Sequence, residues 1–365
     1  MIRKIVKPLI AVSLAVLAAG SITVFSLAMI SPGKKYDPSK VDLNVKLLAR
    51  EEVLACAYKV YGDDRQPYWV AKSVIKNVGK MPAYDLVISY KVGEYCDWYA
   101  ATPYPELLPG ETVRDFCWPD LDGDKVTKIT TKTPVELAMK YEYRGQTKPV
   151  EVHEKIYLLG KNDFVYSNLA DEDVLTGDDA ISWHDWFNNF PFIAAFVTPN
   201  EESTKAFAQE CAAGLQPKAD DGDAIQTLLN IFDGFREIGV RYIHEPRSFW
   251  SSNDAQYVQY PADTLRRESG TCLDLAVAFS AMTEAVGIKS YVVFLPGHAV
   301  PMIELPESGD LVPIEATAIE DTEFITTADH WIPSAQESID EAKAEDKYLP
   351  VDLETCWENG MMPSW

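Results

Sequence analysis

Residues 260–319 read YPADTLRRESGTCLDLAVAFSAMTEAVGIKSYVVFLPGHAVPMIELPESGDLVPIEATAI, and the fold turns on this stretch. Gly270 permits close backbone approach. Thr271-Cys272-Leu273-Asp274 fits a capping box, with Thr271 as the cap and Asp274 three residues beyond it. The run LAVAFSAMTEAV is apolar nearly all round and stops at Gly287, as a buried helix with a glycine just past its end does. Strand-like segments follow at 290–295, 299–305 and 311–318, joined by Pro296-Gly297 and by Glu307-Ser308-Gly309-Asp310. A helix followed by antiparallel strands makes α+β the expected class.

The same stretch holds the parts of a thiol acyl-transfer site. At a helix N-terminus, unpaired N–H groups and the dipole stabilise a thiolate and can bind a developing oxyanion, and Cys272 is placed there. An imidazole must exchange a proton with the thiol, and a carboxylate must orient the imidazole. His298 follows the Pro296-Gly297 turn, and Glu315 lies on the next strand. In a hairpin turning near Ser308, with paired residue numbers totalling about 613–616, Glu315 falls opposite residues 298–301. Facing Cβ atoms there are ~4.5–5.5 Å apart. A buried cysteine in an apolar helix is ordinarily a small hydrophobe, so the spacing of all three residues carries the reading. Asp274 is better explained as a helix cap than as a catalyst. Gln256 and Gln259 stand where a side-chain oxyanion donor could come from, although surface glutamine is the plainer reading. Trp250, Tyr257 and Tyr260 are candidates for lining a cleft.

In order and spacing, these cysteine-helix, histidine-strand and acid-strand blocks resemble the transglutaminase-like superfamily, over about 60 residues directly and over 224–365 by extension. The resemblance implies a papain-like core whose nucleophile helix packs on an antiparallel sheet. It implies Cys272 as nucleophile, His298 as general base and acid, and Glu315 as the acid of a catalytic triad. Glu315 replaces the commoner aspartate, and Val300 stands where many members have tryptophan. The implied activity is acyl transfer or hydrolysis on peptide or glutamine amides through a cysteine thioester, with no metal or organic cofactor. The partner is a protein or peptide substrate, cell-wall peptides included. The rival is a non-catalytic surface binding or scaffolding protein of the same fold.

Working outward, residues 9–30 form an unbroken apolar and small-residue run. At 1.5 Å per residue it matches a ~30 Å hydrocarbon core. Arg3, Lys4 and Lys7 precede it and Lys34 and Lys35 follow, a shallow positive-inside bias. Residues 1–33 are therefore expected to be a single membrane anchor, or a signal, with the body extracytoplasmic. A stalk to Asn44 comes next. Strand-like runs at 69–76, 84–92, 113–117, 126–131, 135–143 and 150–159, with turns at Asn77-Val78-Gly79 and Leu108-Pro109-Gly110-Glu111, read as an all-β sandwich over 45–160. Its strings resemble immunoglobulin-like modules of microbial surface proteins. A helical connecting segment spans 161–223, and 224–365 is the catalytic domain. Within it, 224–238 places Leu228, Leu229, Ile231, Phe232, Phe235 and Ile238 on one broad face. The end of the chain reads as an exposed amphipathic helix at 334–345 and a closing strand at 348–357.

The net charge is -23, and beyond residue 35 the chain carries 28 basic against 56 acidic residues. Such a body repels phosphate backbones, which excludes nucleic acid as a partner. Six cysteines without a CxxC pair do not make a disulfide scaffold or a zinc site. Cys96 and Cys117 are the pair expected to bridge if any does.

Overall fold

The computed structural model describes residues 35–62, 68–100, 103–166, 189–244, 255–320 and 328–364. Contacts divide the chain into Met1–Asp37 and Pro38–Trp365, and every element below belongs to the second unit. The apolar run 9–30 lies outside the described residues. Among those described, no helix is long and apolar enough to cross a membrane.

The first half builds two sheets. Leu43–Ala49, Ala71–Asn77 and Thr112–Cys117 pair antiparallel in that order. A second sheet runs Glu52–Val53, Val150–Leu158, Thr133–Glu142, Ala83–Val92, Cys96–Ala100, with Tyr104–Leu107 also paired to Ala83–Val92. The strand period of two selects the core: Leu137, Met139 and Tyr141 are buried while Glu136 and Glu142 are exposed. Ser73 and Tyr90 share a 2.7 Å hydroxyl hydrogen bond from one sheet to the other, pairing two buried polar groups.

Several local expectations need correction. Residues 126–131 do not form a strand. A short helix, Gly123–Val126, capped by Asp122 accepting the Asp124 N–H and closed by the Thr127 hydroxyl on the Gly123 carbonyl, ends there, and 127–131 follow as turn and irregular backbone. The stalk ends sooner than Asn44, since strand pairing begins at Leu43. Cys96 and Cys117 lie in different sheets with free thiols, and Cys117 Sγ accepts the Tyr99 hydroxyl at 3.3 Å. Both turns are present: Asn77 Oδ1 accepts the Gly79 N–H, and Gly110 takes the φ of 88° that follows Pro109.

In the second half, helices surround one small sheet. Asp221–Glu237 is capped by Asp220 and buries Leu228, Ile231, Phe232 and Phe235; Phe235 meets Phe279 edge-on at 4.9 Å. Ile238 is not on the buried face. It follows the last helical residue and is 38% exposed. Cys272–Ala285 packs against a sheet ordered Leu311–Pro313, His298–Glu304, Ser290–Leu295, Leu349–Asp352, all antiparallel. Leu275, Ala278, Phe279 and Met282 share a core with Ile303 and Ile314. The alternate residues Val293, Leu295, Val300 and Met302 pack on Ile339 and Ala342 of the helix Ala328–Ala344. That helix is therefore half-buried rather than an exposed appendage. The closing strand is only Leu349–Asp352, because Asp352 caps a new helix, Leu353–Glu358. The architecture is α+β.

Candidate active site

Cys272 is the first residue of its helix and is half-buried. The helix starts there because the capping box closes from both sides. Thr271 Oγ1 accepts the Asp274 N–H at 3.3 Å, and Asp274 Oδ2 accepts the Thr271 N–H at 2.9 Å. A Cβ on Gly270 would stand 2.8 Å from the Cβ of Asp274, so the approach needs glycine. The strand Arg241–Tyr242 runs parallel to Ser269–Gly270, and the Ile243 N–H donates to the Gly270 carbonyl at 2.8 Å. The chain is thus gripped immediately before the thiol.

Asp274 does more than cap. Its carboxylate, 2% exposed, also accepts the Gln259 N–H at 2.7 Å and the Gln259 side-chain amide at 3.0 Å. Gln256 and Gln259 are consequently not surface residues; they are 4% and 6% exposed. Gln259 Nε2 donates to Ser269 O and Asp274 Oδ2, which leaves it no proton for an oxyanion. Gln256 Oε1 accepts the Tyr166 hydroxyl. Trp250 lies outside the described residues. Tyr260 is buried with its hydroxyl on the Lys161 carbonyl, whereas Tyr257 is 44% exposed and holds Arg267 through its hydroxyl at 2.9 Å.

His298 opens its strand opposite Leu295, after Gly297 with φ 69°. The ladder to Leu311–Pro313 pairs Met302 with Pro313 and Ile303 with Val312, within the expected register. Yet the strand stops at Pro313, and Ala316–Glu320 turns into a 3-10 helix. Glu315 is therefore a turn residue, not a strand residue. The Ile314 N–H still donates to the Pro301 carbonyl at 2.9 Å, which keeps Glu315 beside the histidine strand. His298 Nε2 lies 3.0 Å from Glu315 Oε2 and 3.2 Å from Oε1, with side chains 24% and 12% exposed. The longer glutamate arm is held from behind: the Thr317 N–H donates to Oε1 at 3.1 Å, and the Thr317 hydroxyl donates to the same oxygen.

Electrostatics follow from these contacts. Burial pushes the His298 imidazolium down, but the neighbouring Cys272 thiol and Glu315 carboxylate together outweigh it and raise the ring to about 10. Burial pushes Glu315 up, and the bonds from His298 and Thr317 reverse that, leaving its carboxyl below the usual glutamate value. The structure joins His298 to Glu315 and places Cys272 close enough to act on the ring. Thr317 was not singled out in the sequence, although a hydroxyl two residues after an acid is a common local hydrogen-bonding pattern. Val300 packs with Val293 and Met302, a small residue in a filled core. Among the described residues, no group of three His, Cys, Asp or Glu side chains could hold a metal ion.

No family model matches the chain, and no curated protein matches it. A solved structure of a candidate protease from Parabacteroides distasonis is similar over 67% of this chain and 62% of its own length, at 12% identity and a TM-score of 0.23. The chain thus spans less than two thirds of that protein, and so slight a likeness leaves the function to be read from the geometry above.

Proposed function

We propose that this chain is a transglutaminase-like thiol enzyme that hydrolyses or transfers acyl groups from peptide or glutamine amides. The observation that supports it is one imidazole between two groups: His298 bonds Glu315 through Nε2, and the Cys272 thiol lies close enough to help hold the ring protonated. With Nε2–H donated to the carboxylate, Nδ1 is left to take the thiol proton. Cys272 Sγ attacks the carbonyl carbon, an S–C bond forms, and the carbonyl electron pair moves to oxygen. The N-terminal helix position offers the Cys272 N–H as an oxyanion donor. As the intermediate collapses, the C–N bond breaks and His298 gives its proton to the leaving amine. Water, or a second amine, then attacks the thioester while His298 removes its proton, and the thiol is released.

The acidic body favours neutral or cationic substrates, cell-wall peptides among them. Residues 9–30 hold the body outside the cytoplasm as a single-pass anchor in this reading, which protease protection of intact cells would test. The chemistry is tested by iodoacetamide: Cys272 reacts faster than free cysteine below neutral pH. A Cys272 no more reactive than free cysteine would favour a binding or scaffolding protein.

A further inference from the structure

We propose that Thr317 is a positioning residue of this site, fixing Oε1 of Glu315 and with it the orientation of the carboxylate that meets His298. The need comes from the glutamate itself. Its side chain has one more rotatable bond than aspartate, and a carboxylate on a longer arm samples more orientations unless something holds it. Ala316–Glu320 supplies the hold. The Ala318 N–H donates to the Glu315 carbonyl at 3.2 Å, folding the chain so that the Thr317 N–H and hydroxyl both converge on Oε1. The carboxylate so held faces Nε2, with Oε2 at 3.0 Å and Oε1 at 3.2 Å. Glu315 therefore acts as a cap for its own short helix and as the acid of the site, and Thr317 couples the two. The groups acting on Glu315 are His298 and Thr317, and those acting on His298 are Cys272 and Glu315.

This inference rests on the thiol reading, and the test separates the two. Thr317→Val and Thr317→Ala each remove the hydroxyl and keep the N–H, while Thr317→Ser keeps both. Two variants lacking the hydroxyl are used so that one remains if the second valine methyl does not fit. The readouts are the His298 titration midpoint, followed by NMR of the ring protons, and the iodoacetamide rate at Cys272, with melting temperature as the control for folding. Val or Ala should lower the midpoint by about half to one pH unit. Alkylation near neutral pH should slow about tenfold, on the order of the loss seen when the outer hydrogen-bond partner that orients a metal-ligating side chain is removed. Ser should restore both. A lowered melting temperature with an unmoved midpoint, or equal losses in Ser and Val, would overturn the positioning role. A wild-type Cys272 without enhanced reactivity would instead overturn the thiol reading.

Discussion

Replacing Glu315 by Gln removes the charge beside His298 while preserving size, and the structure dictates how the amide must sit. Thr317 points two donors at the Oε1 position, so the glutamine oxygen settles there and its NH2 faces His298. Once His298 has given its proton to the leaving amine, the neutral ring has to present an Nε2 lone pair, which puts its proton on Nδ1, the nitrogen needed to take the next proton. Wrong-tautomer losses are on the order of 10⁴ in rate for comparable acid-to-amide changes. The imidazolium also loses a charge-assisted bond of ~1.5–3 kcal/mol. At 1.36 kcal/mol per pH unit, that lowers the His298 midpoint by about 1–2 units. From about 10, the variant should therefore titrate near 8–9. The assay is alkylation of Cys272 between pH 5 and 11, read by peptide mass spectrometry: the upper limb of the profile should move to lower pH and the neutral rate should fall. Glu315→Asp should retain part of the rate. Superimposable profiles for wild type and Glu315→Gln would refute the reasoning and require another acid.

Further outcomes are expected elsewhere. Cys272→Ala should abolish turnover and leave the melting temperature close to wild type, because alanine is a good helix former at an end position; undiminished activity in the purified variant would count against the nucleophile. Thr271→Ala should cost about 1 kcal/mol in denaturant unfolding by opening the capping box, and an unchanged midpoint would show that Asp274 and Gln259 hold the helix start alone. Burial, with help from Glu354 and Asp352, pushes Glu284 up to about 7 against the bonds from Ser290. Because its folded value lies above the ordinary 4.5, its contribution to stability is intact below about 4.5 and is lost as pH rises from there through about 7. Glu284→Gln keeps an oxygen for Ser290 and should add ~1–3 kcal/mol above pH 8 but little near pH 4; equal shifts at both pH values would contradict this.

Much of the site was legible because local rules and long-range packing agree there. The capping box at Thr271 and Asp274, the glycine stop at Gly287 and the hairpin register are short-range signals that the tertiary structure leaves in place. Glu315 was less legible. Val312 and Ile314 are β-branched and suggest a strand running on to Ala318, but the Thr317 bonds to the Glu315 carboxylate favour a 3-10 turn. Val126 misled in the same way, since the Asp122 cap draws it into a helix despite its strand propensity. Burial of Gln256 and Gln259 could not be read locally. It depends on Asp274 and Tyr166, which the fold brings in from 15 and 90 residues away. Cys96 and Cys117 carry free thiols, and nothing local in the sequence distinguishes a free pair from a bridged one.

The most direct test of the account is to trap the acyl-enzyme. The purified body is incubated with peptides carrying glutamine, ordinary peptide bonds and cell-wall stems, quenched in acid and digested for mass spectrometry. The account predicts an acyl mass on the peptide containing Cys272 in wild type, absent in Cys272→Ala and strongly reduced in Glu315→Gln. An acyl group on any other residue, or none on Cys272 from any substrate while product accumulates, would contradict it.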